Sequence, residues 1–313
     1  MVSGVHLSIL DAMSKTKFDS KNDYIDHMYA TLHRPLEIAQ EYLQDNAIES
    51  IHIYPDVLYY TERNNGIKLI FLPGDKRCYP LEIFNFGVYE RKLRSTYLKL
   101  FQDCKSFLDI GANAGYYSIL CRLHNPAAEI HAVEPLSTTY NLLLKQLDLN
   151  GIRDINTHQI AISNTSATTN IYYYPQGLGN TSLRILDQNL HSESEVVTTI
   201  TLDDLSNQYI TTPCDLIKCD VEGAERLVLQ GGSNLLQQDL PVVHLELLRK
   251  WSKPYNYHPN DVVELLDSFG YAMYTVQYDD CPRRLKHITE DEEETNFFFV
   301  HTNSSLYTTF FRR

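Results

Sequence analysis

The segment Phe107-Leu-Asp-Ile-Gly-Ala-Asn-Ala-Gly-Tyr-Tyr-Ser118 limits the fold of this chain more than any other. A short apolar run with no room for surface-facing residues reads as a buried strand, here Ser106 to Gly111. Two glycines within five residues then make a tight turn, and apolar residues at Tyr117, Leu120 and Leu123 read as a helix starting near Ala114. The same alternation continues downstream. Strands are expected at Glu129 to Glu134, Asn156 to Ser163, Asp215 to Asp220 and Pro241 to Leu247. Helices are expected at Ser137 to Leu149, closed by Asn150-Gly151, from Gly223, and at Asn260 to Phe269, stopped by Gly270. The segment from Thr165 to Ser194 is read as irregular. The last two apolar runs, Tyr271 to Val276 and Phe297 to His301, are joined by a polar link without a helix. Repeated β-α units dictate a parallel sheet with right-handed crossovers, and the final pair adds an antiparallel hairpin. The expected fold is therefore α/β, a doubly wound, mostly parallel seven-stranded sheet.

Residues 1–85 have a different texture. Apolar residues from Ile25 to Leu43 recur at helical spacing, with a break expected at Pro35, and β-rich runs flank the hairpin signal Asn64-Asn65-Gly66. This predicts a small α+β extension before the main domain, 86–313. With 27 Lys and Arg against 40 Asp and Glu, the net charge of −13 argues against a nucleic-acid partner, which needs a basic surface. No run approaches the roughly 18 apolar residues of a membrane span. Six cysteines, at 78, 104, 121, 214, 219 and 281, include no C-x-x-C pair, which fits a reducing cytoplasm better than a disulfide framework or a zinc site.

In a doubly wound sheet, ligands sit outside the carboxyl ends of the strands, where the strand order reverses. Asp109, Gly111, Asn113 and Gly115 fall at that edge, and Glu134 ends the next strand, where a carboxylate can accept both hydroxyls of a ribose. The pattern is not that of a dinucleotide site, since Asn113 replaces the middle glycine that makes room for a pyrophosphate. A polar turn preceded by Asp suits a nucleoside with a cationic amino-acid end and no phosphate, and S-adenosylmethionine is such a ligand. On the strand Asp215 to Asp220, the two-residue period puts Lys218 and Asp220 on one face. Asp220, Glu222 and Glu246 are candidate bases for an acceptor hydroxyl, with Lys218 paired to one of them because an unpaired buried charge is costly. The same carboxylates offer oxygen ligands for magnesium or calcium; their spacing neither demands nor excludes an ion, and no metal ligand is assigned.

DIGANAGYYS, AVEP, AISN at Ala161 to Asn164, LIKCDVEGAE at Leu216 to Glu225 and VVHLEL at Val242 to Leu247 together resemble the FkbM family of S-adenosylmethionine-dependent methyltransferases. The resemblance runs from about Phe86 to His301 and implies a Rossmann-like class I methyltransferase fold. It implies that Asp109, Gly111, Asn113 and Gly115 surround the methionine part of the cofactor, that Tyr116 also lies at the cofactor, that Glu134 holds the ribose and that the region of Ala161 flanks the adenine. Glu90 resembles a Glu found upstream of the Gly-rich turn in such proteins, and Asp220 serves both cofactor and chemistry. The implied reaction is O-methylation of a hydroxyl on a sugar, glycan or related small metabolite, with S-adenosylhomocysteine as product. N-methylation of an amine or protein side chain, or a silent cofactor-binding module, is the alternative. Two aromatic segments, Tyr172 to Ser182 and Trp251 to His258, are candidate acceptor loops, and His258 is a reserve base.

Overall fold

The computed structural model describes residues 18, 20–73, 79–174, 177–187, 189–276 and 281–311. These form two compact units that meet in sequence between Val88 and Tyr89.

The first unit begins with helix α1 (Lys21–Met28), a π-helical turn at Tyr29–His33 and helix α2 (Arg34–Leu43). Pro35 lies in the first turn of α2, directly after the π-helical turn, and the backbone stays helical across the junction. Strands β1 (Ile48–Ile53), β2 (Leu58–Glu62) and β3 (Lys68–Ile70) form an antiparallel sheet in that order, and helix α3 (Tyr79–Phe86) follows. The Asn64-Asn65-Gly66 signal is indeed the β2–β3 turn: Gly66 has φ 71°, and the Asn65 side chain accepts from the Ile67 N–H at 2.9 Å.

In the second unit, helix α4 (Arg91–Asp103) leads into β4 (Ser106–Ile110), α5 (Tyr116–His124), β5 (Glu129–Val133), α6 (Ser137–Leu149) and β6 (Asn156–His158). Next come β7 (Ala161–Ser163), β8 (Ala167–Tyr174), β9 (Gly177–Ser182), β10 (Glu193–Thr201) and α7 (Leu202–Tyr209). The chain continues through β11 (Leu216–Cys219), α8 (Glu225–Gln230), α9 (Ser233–Gln238), β12 (Val242–Glu246), α10 (Arg249–Ser252) and α11 (Pro259–Ser268). It closes with β13 (Tyr271–Val276), β14 (Pro282–Leu285), β15 (Asn296–His301) and α12 (Tyr307–Phe310). The main sheet has the order β14-β13-β15-β12-β11-β4-β5-β6; the five strands from β12 to β6 are parallel and the other pairings antiparallel. After β4 the chain builds outward to β6 and then returns to lay β11 on the other side of β4. The switch point is thus the β4–β11 gap.

Three expectations are corrected. Among the described residues the sheet has eight strands rather than seven, because Pro282–Leu285 in the polar link pairs with β13 at the edge. The single strand expected over Asn156 to Ser163 is two, β6 in the main sheet and β7 in a second sheet ordered β7-β10-β8-β9. The stretch read as irregular supplies β8 and β9 of that sheet. Thr168, Thr169, Ile171 and Tyr172 to Tyr174 carry the β-propensity, but the first four residues of β8 are exposed, so no apolar alternation marks it. Ala161, Leu136, Ile171 and Val197 pack as its small core.

Two faces of the main sheet divide the labour. One packs Leu108, Ile110, Ile217, Cys219, Val243, Leu245, Phe297 and Phe299 into a continuous apolar core with α7, α8, α9 and α11. The opposite face is polar at its centre. Register places Asp109, Lys218 and His244 side by side on β4, β11 and β12, and all three are buried.

Candidate active site

The turn after β4 is built around two backbone constraints. Gly111 has φ 76°, and a Cβ there would overlap the carbonyl oxygen of Asp220, so the close approach of the two strand ends excludes any side chain. The N–H groups of Gly111 and Ala112 both donate to the Val133 carbonyl, at 2.9 and 3.0 Å, which locks the turn onto the end of β5. Asn113 is left-handed at φ 50° and accepts from the Ala114 N–H at 2.7 Å. Gly115, at φ 82°, leads into α5, where a side chain would overlap Leu143 of α6.

Glu134 braces this turn from the neighbouring strand. One carboxylate oxygen accepts from the Asn113 N–H at 3.0 Å; the other accepts from the Leu136 N–H at 3.1 Å and the Thr139 hydroxyl at 2.6 Å. Burial pushes its pKa up, and the three donors pull it back. Asp109 lies beneath, accepting from the Ser118 hydroxyl at 2.6 Å, while its second oxygen is buried without a hydrogen-bond partner among the described residues. Burial raises Asp109 as well, opposed first by the Lys218 ammonium 3.9 Å away.

Lys218 spans the switch point. Its Nζ is 3.4 Å from Asp220 and 5.8 Å from the Tyr117 ring centre. Burial works against its charge, but Asp220, Asp109 and Glu90 outweigh that and raise its pKa. Glu90 is left-handed at φ 44°, begins α4 and accepts from the Tyr117 hydroxyl at 2.6 Å.

Asp220, Glu222 and Glu246 converge at the carboxyl ends of β11 and β12. Among the described residues they form the one group of three potential metal ligands, with ligand oxygens within 4.8 Å of one another. Burial, then repulsion from Asp220 and Glu246, pushes Glu222 up to about 9; burial, then Asp220, does the same to Glu246. The Glu222 backbone is left-handed at φ 50°, and one of its carboxyl oxygens is buried with no hydrogen-bond partner among the described residues. Its carbonyl accepts from the Ser182 hydroxyl at 2.7 Å, and Ser182 also meets the Tyr255 hydroxyl at 2.7 Å. Both aromatic segments singled out in the sequence therefore reach the Glu222 turn, one through Ser182 and the other through Tyr255.

Some residues are placed elsewhere than the sequence suggested. Ala161 is 5% exposed and packs in the second-sheet core. Tyr116 is 1% exposed and packs edge-on against Tyr89 and Tyr117, with its hydroxyl accepting from Arg94 at 3.2 Å. His258 caps α11, accepting from the Asn260 N–H at 3.1 Å. Glu225 braces the β11–α8 turn, accepting from the N–H groups of Val221 and Gly223 and from the Tyr257 hydroxyl, and burial lifts it to about 7. Sequence reading passed over His244, although the period that pairs Lys218 with Asp220 equally puts His244 on the face of Glu246. Its Nδ1 is 2.7 Å from the Tyr97 hydroxyl and its Nε2 3.1 Å from Asn296 Oδ1. Burial and then Lys218 hold it near pKa 3, so it is neutral.

A parallel sheet with this switch point, a Gly-rich first turn and acidic groups on the neighbouring strand ends defines a methyltransferase-like α/β protein. The Methyltransferase FkbM domain matches residues 109–273, and the chain belongs to that family. Methyltransferase 1 of Beauveria bassiana (strain ARSEF 2860) is 28% identical over 188 residues, 54% of this chain and 68% of that protein. Methyltransferase sdnD of Sordaria araneosa is 25% identical over 215 residues, 60% of this chain and 81% of the relative. The crystal structure of a methyltransferase FkbM from Methylobacillus flagellatus KT aligns over 63% of this chain, with 17% identity and a TM-score of 0.41, and this chain covers 44% of its length.

Proposed function

We propose that the chain is an S-adenosylmethionine-dependent O-methyltransferase acting on a hydroxyl of a sugar, glycan or related small metabolite. The observation that carries this reading is the convergence of Asp220, Glu222 and Glu246 beside the switch point, two of them raised to about 9 by burial and the neighbouring carboxylates, so that each is a stronger base than an ordinary carboxylate once ionised.

The residues present fit the cofactor. Asp109 and Glu222 each bury an oxygen lacking a hydrogen-bond partner among the described residues, which suits a cationic ligand with N–H donors. Glu134 would hold the ribose side, and Asp109 and the Asn113 turn, with Asp220, the amino-acid side. When bound, S-adenosylmethionine supplies a methyl group already activated on a sulfonium. The chain must then hold the acceptor oxygen in line and take its proton. A carboxylate whose pKa lies near 9 accepts a hydroxyl proton more readily than an ordinary one, provided it is ionised. A cation brought next to the cluster favours the ionised form. Lys218 keeps Asp220 oriented toward the same point, and the Ser182–Glu222 bond fixes the strained turn that carries the second base.

A divalent cation is the competing occupant of these carboxylates, whose oxygen-only donor set suits magnesium or calcium. One experiment separates the readings: cofactor affinity by calorimetry and turnover on hydroxyl and amine acceptors, for Asp220→Asn, Glu222→Gln and Glu246→Gln, with and without a chelator. The expected result is that the variant lacking the base loses about 10²–10⁴-fold in turnover, with affinity nearly intact and no effect of chelator. Activity abolished by chelator and restored by magnesium assigns the cluster to a metal instead. Methyl transfer to nitrogen alone refutes the hydroxyl reading, and losses of no more than a few-fold in all three variants refute the assignment of the base to this cluster.

A further inference from the structure

A cleft of about 240 Å³ opens beside the carboxylate cluster, lined by Glu90, Arg91, Lys92, Leu93, Val276, Glu294 and Asn296. It adjoins the site: Asn296 pairs with Glu246 across β12 and β15, and the Glu90 charge acts on both Glu246 and Lys218. The cleft lies on the β12–β15–β13 side of the switch point, and Glu90, which accepts from the Tyr117 hydroxyl of α5, is shared between it and the cofactor side.

Two details of the lining restrict what can enter. Lys92 and Glu294 are ion-paired at 2.9 Å, with side chains 30% and 16% exposed, and Glu90 and Arg91 supply one further charge of each sign. Among the described residues the wall is thus balanced, with Leu93 and Val276 as its apolar part. An anionic acceptor meets Glu90 and Glu294, and a cationic one meets Arg91 and Lys92, so neither gains from the lining as a whole. The second detail is the orientation of Asn296. Neutral His244 has a single N–H. Asn296 Oδ1 can only accept, so the proton sits on Nε2 and points to Asn296, while Nδ1 accepts from the Tyr97 hydroxyl. With Oδ1 committed to His244, the Asn296 side chain turns its amide NH₂ away from the ring, with one contact to Thr295 Oγ1 at 3.2 Å. It is a donor.

We propose that this cleft is the acceptor subsite and that it selects an uncharged, hydroxyl-bearing ring, with Asn296 as the specificity-determining donor to a ring or hydroxyl oxygen. The inference rests on the methyltransferase reading above. Tyr97 and His244 are positioning residues for Asn296. The volume is below the roughly 300–1,000 Å³ of pockets for drug-sized ligands, so one ring occupies it and the rest of a larger acceptor lies outside.

The test uses the full chain, labelled S-adenosylmethionine, and three probe sets: neutral methyl hexopyranosides, an aminohexose and a hexose 6-phosphate. The wild type is expected to favour the neutral glycosides by at least about tenfold in kcat/KM. Asn296→Asp keeps the shape and removes the donor; KM for the glycosides should rise about tenfold, the worth of one hydrogen bond, with cofactor affinity unchanged. Lys92→Glu should move preference toward the aminohexose and Glu294→Lys toward the phosphate. The combined exchange should restore the neutral preference, a rescue that misfolding would not give. A KM for Asn296→Asp within twofold of wild type, or charge variants that leave the preference in place, overturns the assignment. Cofactor binding without transfer to any neutral glycoside overturns the acceptor class alone. Failure to bind S-adenosylmethionine refutes the methyltransferase reading and the subsite with it.

Discussion

Replacing Glu222 by Gln should stabilise the ligand-free protein, and the gain should grow with pH. Its folded pKa lies near 9 against an ordinary 4.5, so the native state keeps a proton that the unfolded chain releases. For a raised folded pKa, the stabilisation is complete below pH 4.5 and is lost as pH climbs toward 9. The loss is at most about 1.4 kcal/mol per pH unit, hence about 2.7 kcal/mol between pH 6 and pH 8. Partial exposure and the shared titration with Glu246 reduce this to about 1–2 kcal/mol. For a unit of this size that is a shift of roughly 3–6 °C in Tm. Gln fits the same left-handed backbone, keeps the volume and does not titrate. The assay is thermal melting at fixed ionic strength from pH 6 to 9, read as variant minus wild type. Glu246→Gln should behave alike, and the double variant should gain less than the sum, because each removal relieves the other carboxyl. Parallel Tm curves for wild type and Glu222→Gln across this range would show that the cluster is not held protonated, and the argument for a tuned base would fall with it.

Two further outcomes follow from the turn. Glu134→Ala should weaken cofactor binding and also lower stability by about 3 kcal/mol, since it leaves the donors of Asn113, Leu136 and Thr139 without their acceptor; calorimetry together with thermal melting checks both, and an unchanged Tm would mean the brace is dispensable. Gly111→Ala should abolish folding because its Cβ overlaps the Asp220 backbone, whereas Gly66→Ala, at a similar φ of 71° but with nothing within 4 Å, should cost only about 1 kcal/mol of backbone strain; equal melting temperatures for the two variants would refute the close approach of β4 and β11.

Much of this site was legible because local chemistry and long-range position coincide. The β4 turn announces itself through glycines that only a left-handed backbone and a crowded strand end require, and the period-two rule puts Lys218 beside Asp220. What stayed hidden depends on register between strands distant in sequence. Nothing near His244 says that it stands next to Lys218, or that Tyr97 and Asn296, respectively 147 and 52 residues away, take its two ring nitrogens. The second sheet was missed for a different reason. The first half of β8 is exposed, so burial does not impose the alternation on which strand recognition relies. Ala161, whose region was read as flanking the adenine, packs with Leu136, Ile171 and Val197 as core.

The buried row Asp109–Lys218–His244 explains how the two halves of the site are held together. Placing an ammonium and a carboxylate on the inner face of a sheet costs several kcal/mol in desolvation unless each is well paired. Here the pairing is distributed. Asp109 takes a hydroxyl from Ser118 and the field of Lys218, Lys218 takes Asp220 and the Tyr117 ring, and His244 escapes the cost by staying neutral. The same ammonium therefore faces a carboxylate of the cofactor turn on β4 and one of the base cluster on β11. An apolar residue would pack at position 218 at less cost, but it would leave Asp109 and Asp220 facing each other with nothing between them. Their repulsion would add to the load already carried by Glu222 and Glu246. Lys218 thus caps the negative charge the site can accumulate, so that Glu222 and Glu246 can be forced upward while Asp109 and Asp220 stay anchored on either side of the switch point.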